Sequence, residues 1–162
     1  MAVLSAGLLL FRQGGTDDVE VLLGHMGGPY WARKDDGAWS VPKGEHSPDE
    51  DPRAAAAREF TEELGSEPPP GPLLELGTVR QRGGKQITVF ALQADFDAEH
   101  ITPGVFELEW PPRSGSVRVF PEIDRAAWFD TDTARRKLVP GQVEFVDRLL
   151  GSLAPAPGTA TS

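Results

Sequence analysis

The chain has 162 residues, with 25 acidic against 16 basic side chains and a formal charge of −9. That length suits one domain with a hydrophobic core rather than two, no apolar run approaches the roughly 20 residues of a membrane span, and the absence of cysteine excludes disulfides and thiolate chemistry. The acidic balance argues against a general nucleic-acid surface, which needs clustered Lys and Arg, so a cytoplasmic protein with neither membrane nor nucleic-acid partners is expected.

Residues 3–11 and 19–25 are apolar runs of strand length separated by a polar stretch containing Gly14-Gly15, which predicts a hairpin. Residues 1–11 carry no basic leader, so a signal peptide is not expected. A long loop with Tyr30 and Trp31 follows, then a short strand at 39–41 and the run Pro42-Lys43-Gly44. Loops this long in a small domain are commonly functional. The clearest element is a helix over 52–64. Asp51 can cap it, Pro52 suits its first position, Gly65 suits a left-handed end, and Pro68 to Pro70 forbid continuation. Ala56, Phe60 and Leu64 form its expected buried stripe.

Residues 73–82 and 85–96 read as a second hairpin turned at Gly83-Gly84. Residues 97–116 are expected to be irregular because of Pro111 and Pro112. Short strands are expected at 117–120 and 126–129, and an amphipathic helix at 142–150 with Val143, Val146 and Leu150 on one face. The composition of 152–162 predicts a disordered tail, leaving 1–151 as the folded domain.

On the helix, Glu59, Glu62 and Glu63 stand at i, i+3 and i+4, which puts three carboxylates on one face. Their mutual repulsion is costly without a cation. Hard oxygen donors in such a cluster suit Mg²⁺ or Mn²⁺, which also bind phosphate oxygens. Taken alone, the same spacing equally describes a solvated acidic face, so the surrounding residues decide.

Residues 44–65 resemble the Nudix box: Gly, five residues, Glu, seven residues, Arg-Glu, an apolar residue, any residue, Glu-Glu, any residue, Gly. Gly44, Glu50, Arg58, Glu59, Phe60, Glu62, Glu63 and Gly65 meet it, and Ser66 departs from it where an apolar residue is usual. The resemblance implies an α/β fold, a mixed sheet sandwiched between helices. It implies a hydrolase of acid anhydrides in phosphorus-containing compounds, with Mg²⁺ or Mn²⁺ as cofactor. Glu59, Glu62, Glu63 and the Gly44 carbonyl would hold the metal, and Glu50 would pair with Arg58 in a structural role beside Gly65. The ions would polarise the bridging phosphates and activate the attacking water. Candidates for the general base are Glu59 within the box and Glu107, Glu109 or Glu122 outside it, with Glu109 preferred.

Lys43 belongs to a Trp-x-x-Pro-Lys-Gly run similar to that of Nudix enzymes acting on diadenosine polyphosphates and inositol pyrophosphates, and is a candidate phosphate contact. Arg33, Lys34, Lys85 and Arg113 are candidates for the same role on the same footing. Tyr30, Trp31 and Trp110 can stack on a base, whereas Trp39 and Trp128 read as core. His25, His46 and His100 have no ligand spacing. The substrate expected is a small nucleoside polyphosphate, tilted toward dinucleoside polyphosphates. House-cleaning hydrolysis of nucleoside triphosphates and hydrolysis of nucleotide sugars are the alternatives. A non-catalytic ligand-sensing module would predict a damaged box, and the three glutamates are intact. A homodimer is a further possibility that the resemblance raises.

Overall fold

The computed structural model describes residues 3–13 and 18–154. The tip of the first hairpin and the tail from residue 155 onward lie outside these residues. The apolar runs at the N-terminus form Leu4–Gln13 (β1) and Val19–Met26 (β2), paired antiparallel as expected. β1 also pairs antiparallel with Lys43–His46 (β4), through Leu4 to Gly7, and parallel with Gln86–Gln93 (β6). Leu73–Arg80 (β5) completes the second expected hairpin by pairing antiparallel with β6. Trp39–Ser40 (β3) and Ile123–Asp130 (β9) add to β2. The result is a mixed seven-stranded sheet.

β1 is buried on both faces, and alternation sends its side chains to two separate cores. Ala6, Leu8 and Leu10 pack with Leu22, Phe90 and Leu92 beneath the helix Pro52–Leu64 (α1), which contributes Ala55, Ala56, Phe60 and Leu64. Leu9 and Phe11 pack on the opposite side with Val21, Leu23 and Val89 against Thr131–Lys137 (α2) and Val143–Leu153 (α3), through Ala134, Phe145, Val146 and Leu149. Burying a side chain such as Phe60 completely contributes about 1.5–3 kcal/mol. The layers are helix, sheet, helices, as the resemblance implied.

Three expectations need correction. Residues 97–116 are not irregular throughout: Val105–Glu109 (β7) pairs antiparallel with Val117–Pro121 (β8), the strand expected at 117–120, and Pro111 and Pro112 fall in the turn, just beyond the last paired residue. α2 was not foreseen, because of its seven residues only Ala134 is buried and no apolar stripe marks it. α3 runs to Leu153, past the boundary drawn at residue 151.

Candidate functional site

The site begins where β4 meets α1. Asp51 accepts the Arg53 backbone N–H at 3.2 Å, Pro52 opens the helix, and Gly65 closes it at φ 82° with its N–H donating to Thr61 at 2.8 Å. α1 therefore has the bounds its caps imply, and the carboxylate face is fixed relative to β4. Gly44 lies directly against Glu59: a Cβ at position 44 would stand 1.9 Å from Glu59 Oε2. Glycine is required there for close approach, independently of any role for its carbonyl.

Arg58 binds Glu50 in a two-pronged contact, Nε to Oε2 and Nη2 to Oε1, both at 3.0 Å. The contact ties the loop before α1 to the helix. The same guanidinium reaches Glu59 Oε1 at 2.8 Å and Glu62 Oε1 at 3.3 Å through Nη1. Glu59 and Glu62 thus converge on one cationic nitrogen, the behaviour expected of carboxylates built to share a positive charge. Glu63 is buried and accepts the Lys43 backbone N–H at 3.1 Å. Burial pushes its carboxyl up to about 8, Glu122 and Glu59 adding to the rise and Lys43 opposing it. Burial likewise raises Glu59, helped by Glu62 and Glu122. In the opposite sense, burial lowers Lys43.

This crowding of hard oxygen donors, with two carboxylates already sharing a guanidinium, fits a divalent cation such as Mg²⁺ or Mn²⁺. Among the described residues no three acidic or imidazole groups meet at one point as the side chains stand. Glu62 is the one turned outward, 58% exposed against Arg58, and has the freedom to swing toward the others.

Above the carboxylates is a pocket of about 280 Å³ lined by Trp31, Ser40, Lys43, Glu63, Phe106 and Glu122, with Met26, Gly27 and Ile123 behind them. Lys43 and Trp31 are therefore brought to the acidic cluster as anticipated. Glu122 is held by backbone contacts that lead back to the helix. Gly104 N–H donates to Glu62, Glu122 N–H to Gly104, and Gly27 N–H to Glu122, each at 2.9 Å. A Cβ on Gly27 would stand 1.9 Å from the Pro121 carbonyl, so this junction too depends on a missing side chain.

The other candidates lie elsewhere. Phe106 faces the pocket, so alternation along β7 turns Glu107 and Glu109 away from it. Glu109 instead accepts the Arg113 backbone N–H at 3.0 Å within its own turn. Of the two carboxylates weighed as base, Glu122 therefore lines the pocket and Glu109 does not. Tyr30 and Trp110 pack edge-to-face on each other, ring centroids 5.1 Å apart, rather than lining the pocket. Lys34 sits 5.2 Å from the Trp31 ring centre. His25 is fully buried between Asp124 and the Lys34 carbonyl, at 2.9 and 2.7 Å, where it anchors the aromatic loop. Gln142, which no sequence signal marked, is buried with Oε1 accepting Val41 N–H at 2.8 Å, so it fixes the strand that delivers Lys43.

Comparison with known proteins gives a consistent result. The family model described as NUDIX domain matches residues 1–149. No curated protein matches the sequence. Among solved structures, the NUDIX domain of Shewanella oneidensis NrtR complexed with ADP ribose superposes with a TM-score of 0.64 at 15% identity, covering 95% of this chain and 90% of that one. A NUDIX hydrolase from Nitrosomonas europaea gives 0.61 at 21% identity, covering 94% and 90%. A C. elegans Ap4A hydrolase in a binary complex gives 0.59 at 18%, covering 92% and 97%. At these identities the superpositions speak for the fold alone.

Proposed function

The chain belongs to the Nudix family, and we propose that it is a divalent-metal-dependent pyrophosphohydrolase of nucleoside polyphosphates, with dinucleoside polyphosphates as its preferred class. The observation that carries this reading is the meeting of Lys43, Trp31, Glu63 and Glu122 around one pocket beside Glu59 and Glu62. An anionic chain needs cations at its oxygens, and this pocket offers a lysine together with carboxylates suited to hold more.

Glu59, Glu62, Glu63 and the Gly44 carbonyl would hold Mg²⁺ or Mn²⁺, which supplies charge neutralisation at the bridging phosphates and activation of water. Glu122 takes the proton from the water as its oxygen bonds to phosphorus and the bridging P–O bond breaks, the electron pair leaving with the second phosphate. Lys43 steadies the phosphate oxygens, its burial strengthening each contact. Trp31 offers its ring face to a base, while Tyr30 and Trp110 brace each other at the rim. Arg58 holds the loop through Glu50 and contacts Glu59 and Glu62, the carboxylates that would hold the metal. The domain, running through α3 to Leu153, acts as one catalytic unit, and among the described residues no helix is long and apolar enough to cross a membrane.

The test is product chromatography after incubation with Mg²⁺ and a panel of nucleoside triphosphates, dinucleoside polyphosphates and nucleotide sugars. Because an Ap4A hydrolase and an ADP-ribose-bound domain share the fold, both ligands belong in the panel. Fastest cleavage of the dinucleoside polyphosphates is expected. Preference for triphosphates or sugars would replace the substrate assignment, and binding without cleavage would favour a sensing module.

A further inference from the structure

We infer that the β5–β6 hairpin builds a second, cationic compartment that binds the phosphates of the substrate beyond the linkage cleaved; the assignment of which linkage that is rests on the pyrophosphohydrolase reading above. The compartment, about 540 Å³, shares Met26, Trp31 and Lys43 with the pocket at Glu63 and is closed by Arg80, Gln81 and Arg82 on one side and Gln142 on the other. Lys43 and Trp31 therefore stand between an acidic chamber and a basic one. Both fall in or near the size range of small-molecule sites.

The charge distribution points to an anion. In a chain of net charge −9, half of the twelve arginines are committed: Arg12, Arg53, Arg58, Arg135, Arg136 and Arg148 each pair with a carboxylate. Arg80 and Arg82 form no ion pair among the described residues, yet both line this compartment. Lys85, in the same hairpin, lies near enough to Lys43 to disfavour its charge. Four cations are thus collected beside one chamber of an acidic protein, an arrangement that repels itself unless a polyanion lies among them.

The walls are built rather than incidental. Gly83 and Gly84 adopt φ of 79° and 83°, the left-handed turn that joins β5 to β6 directly after Arg82. Gln81 N–H closes that turn onto the Lys85 carbonyl at 2.6 Å, and Gly141 leaves room for the Gln81 side chain, whose Nε2 would be 3.0 Å from a Cβ there. On the far side Gln142 is locked, its Nε2 donating to Ser40 Oγ at 3.0 Å. Linear phosphate crossing from the carboxylates past Lys43 would meet Arg80 and Arg82 next, whose planar guanidinium groups match phosphate oxygens two at a time. A nucleoside triphosphate held at the carboxylates through a metal would reach this compartment little, whereas a longer chain would span it and a metal-free polyphosphate can occupy it alone.

Titration calorimetry of the full chain with inorganic tripolyphosphate in EDTA, where no turnover occurs, tests this directly. Arg80→Gln combined with Arg82→Gln should weaken binding by about tenfold or more. Arg118→Gln, an exposed arginine on β8 outside both chambers, should leave it unchanged. Equal losses in the two variants, or no loss in the double variant, would overturn the compartment. With Mg²⁺ present, the double variant should raise KM for four- and five-phosphate dinucleotides and leave kcat within about twofold. A protein that cleaves none of these, while its tripolyphosphate affinity still depends on Arg80 and Arg82, would keep the compartment and remove the catalytic reading.

Discussion

Glu122 and Glu109 are both carboxylates next to aromatic or proline-rich sequence, and nothing in composition separates them. Their positions do. Glu122 lines the pocket with Glu63 and raises the proton affinity of Glu63 and Glu59, while Glu109 caps its own turn on the other face of β7. Glu122→Gln is expected to lower kcat by about 10²–10⁴, the range of a general base, with KM little changed, and Glu109→Gln to leave kcat within about twofold. Steady-state kinetics on the same substrate decide the matter; the reverse ranking would return the base to β7. The glutamates of the box were legible because their spacing alone puts them on one helical face, whereas the partnership of Glu122 with them depends on Gly104 and Gly27, two loop glycines whose contacts form only in the folded chain.

At the scale of elements, the junction of β4 with α1 is the tightest part of the site. Gly44→Ala would drive a methyl group into the Glu59 carboxylate, which has to move because a Cβ there stands only 1.9 Å from Oε2. A stability loss of about 1–3 kcal/mol is expected, together with a higher Mg²⁺ concentration for half-maximal activity. Denaturant melts and metal titration of activity check both, and a variant unchanged in each would show that the two elements are not pressed together as described. α1 was readable to the residue because Asp51, Pro52 and Gly65 are local signals. The β7–β8 hairpin was not, since Pro111 and Pro112 look like breakers of the whole segment until the pairing shows that they lie beyond Glu109, in the turn. The hairpin arginines escaped notice for a related reason: an arginine at a turn is ordinarily solvated, and only the return of the chain at 139–142 sets a second wall opposite the exposed Arg80 and Arg82.

Over the whole molecule, the acidic cluster couples stability to pH and to metal. Glu63 titrates near 8 in the fold against an ordinary value of 4.5, so the native chain holds more protons than the unfolded one between those limits. Its contribution is complete below about 4.5 and is lost as pH rises through 8, a change on the order of a few kcal/mol. A divalent ion bound to the carboxylates favours the charged form and should offset that loss. Calorimetric Tm values are therefore expected to rise more on Mg²⁺ addition at pH 8 than at pH 5.5, and an equal or larger rise at pH 5.5 would place the metal away from Glu63. The most direct measurement is Mg²⁺-dependent turnover of a dinucleoside polyphosphate by the wild-type chain and by Glu62→Gln, which removes one charge and almost no volume from an exposed side chain. Robust wild-type cleavage and a fall of about 10²-fold or more in the variant, with unchanged Tm in EDTA, is the expected result. Equal turnover by the two proteins would contradict metal binding by the box glutamates.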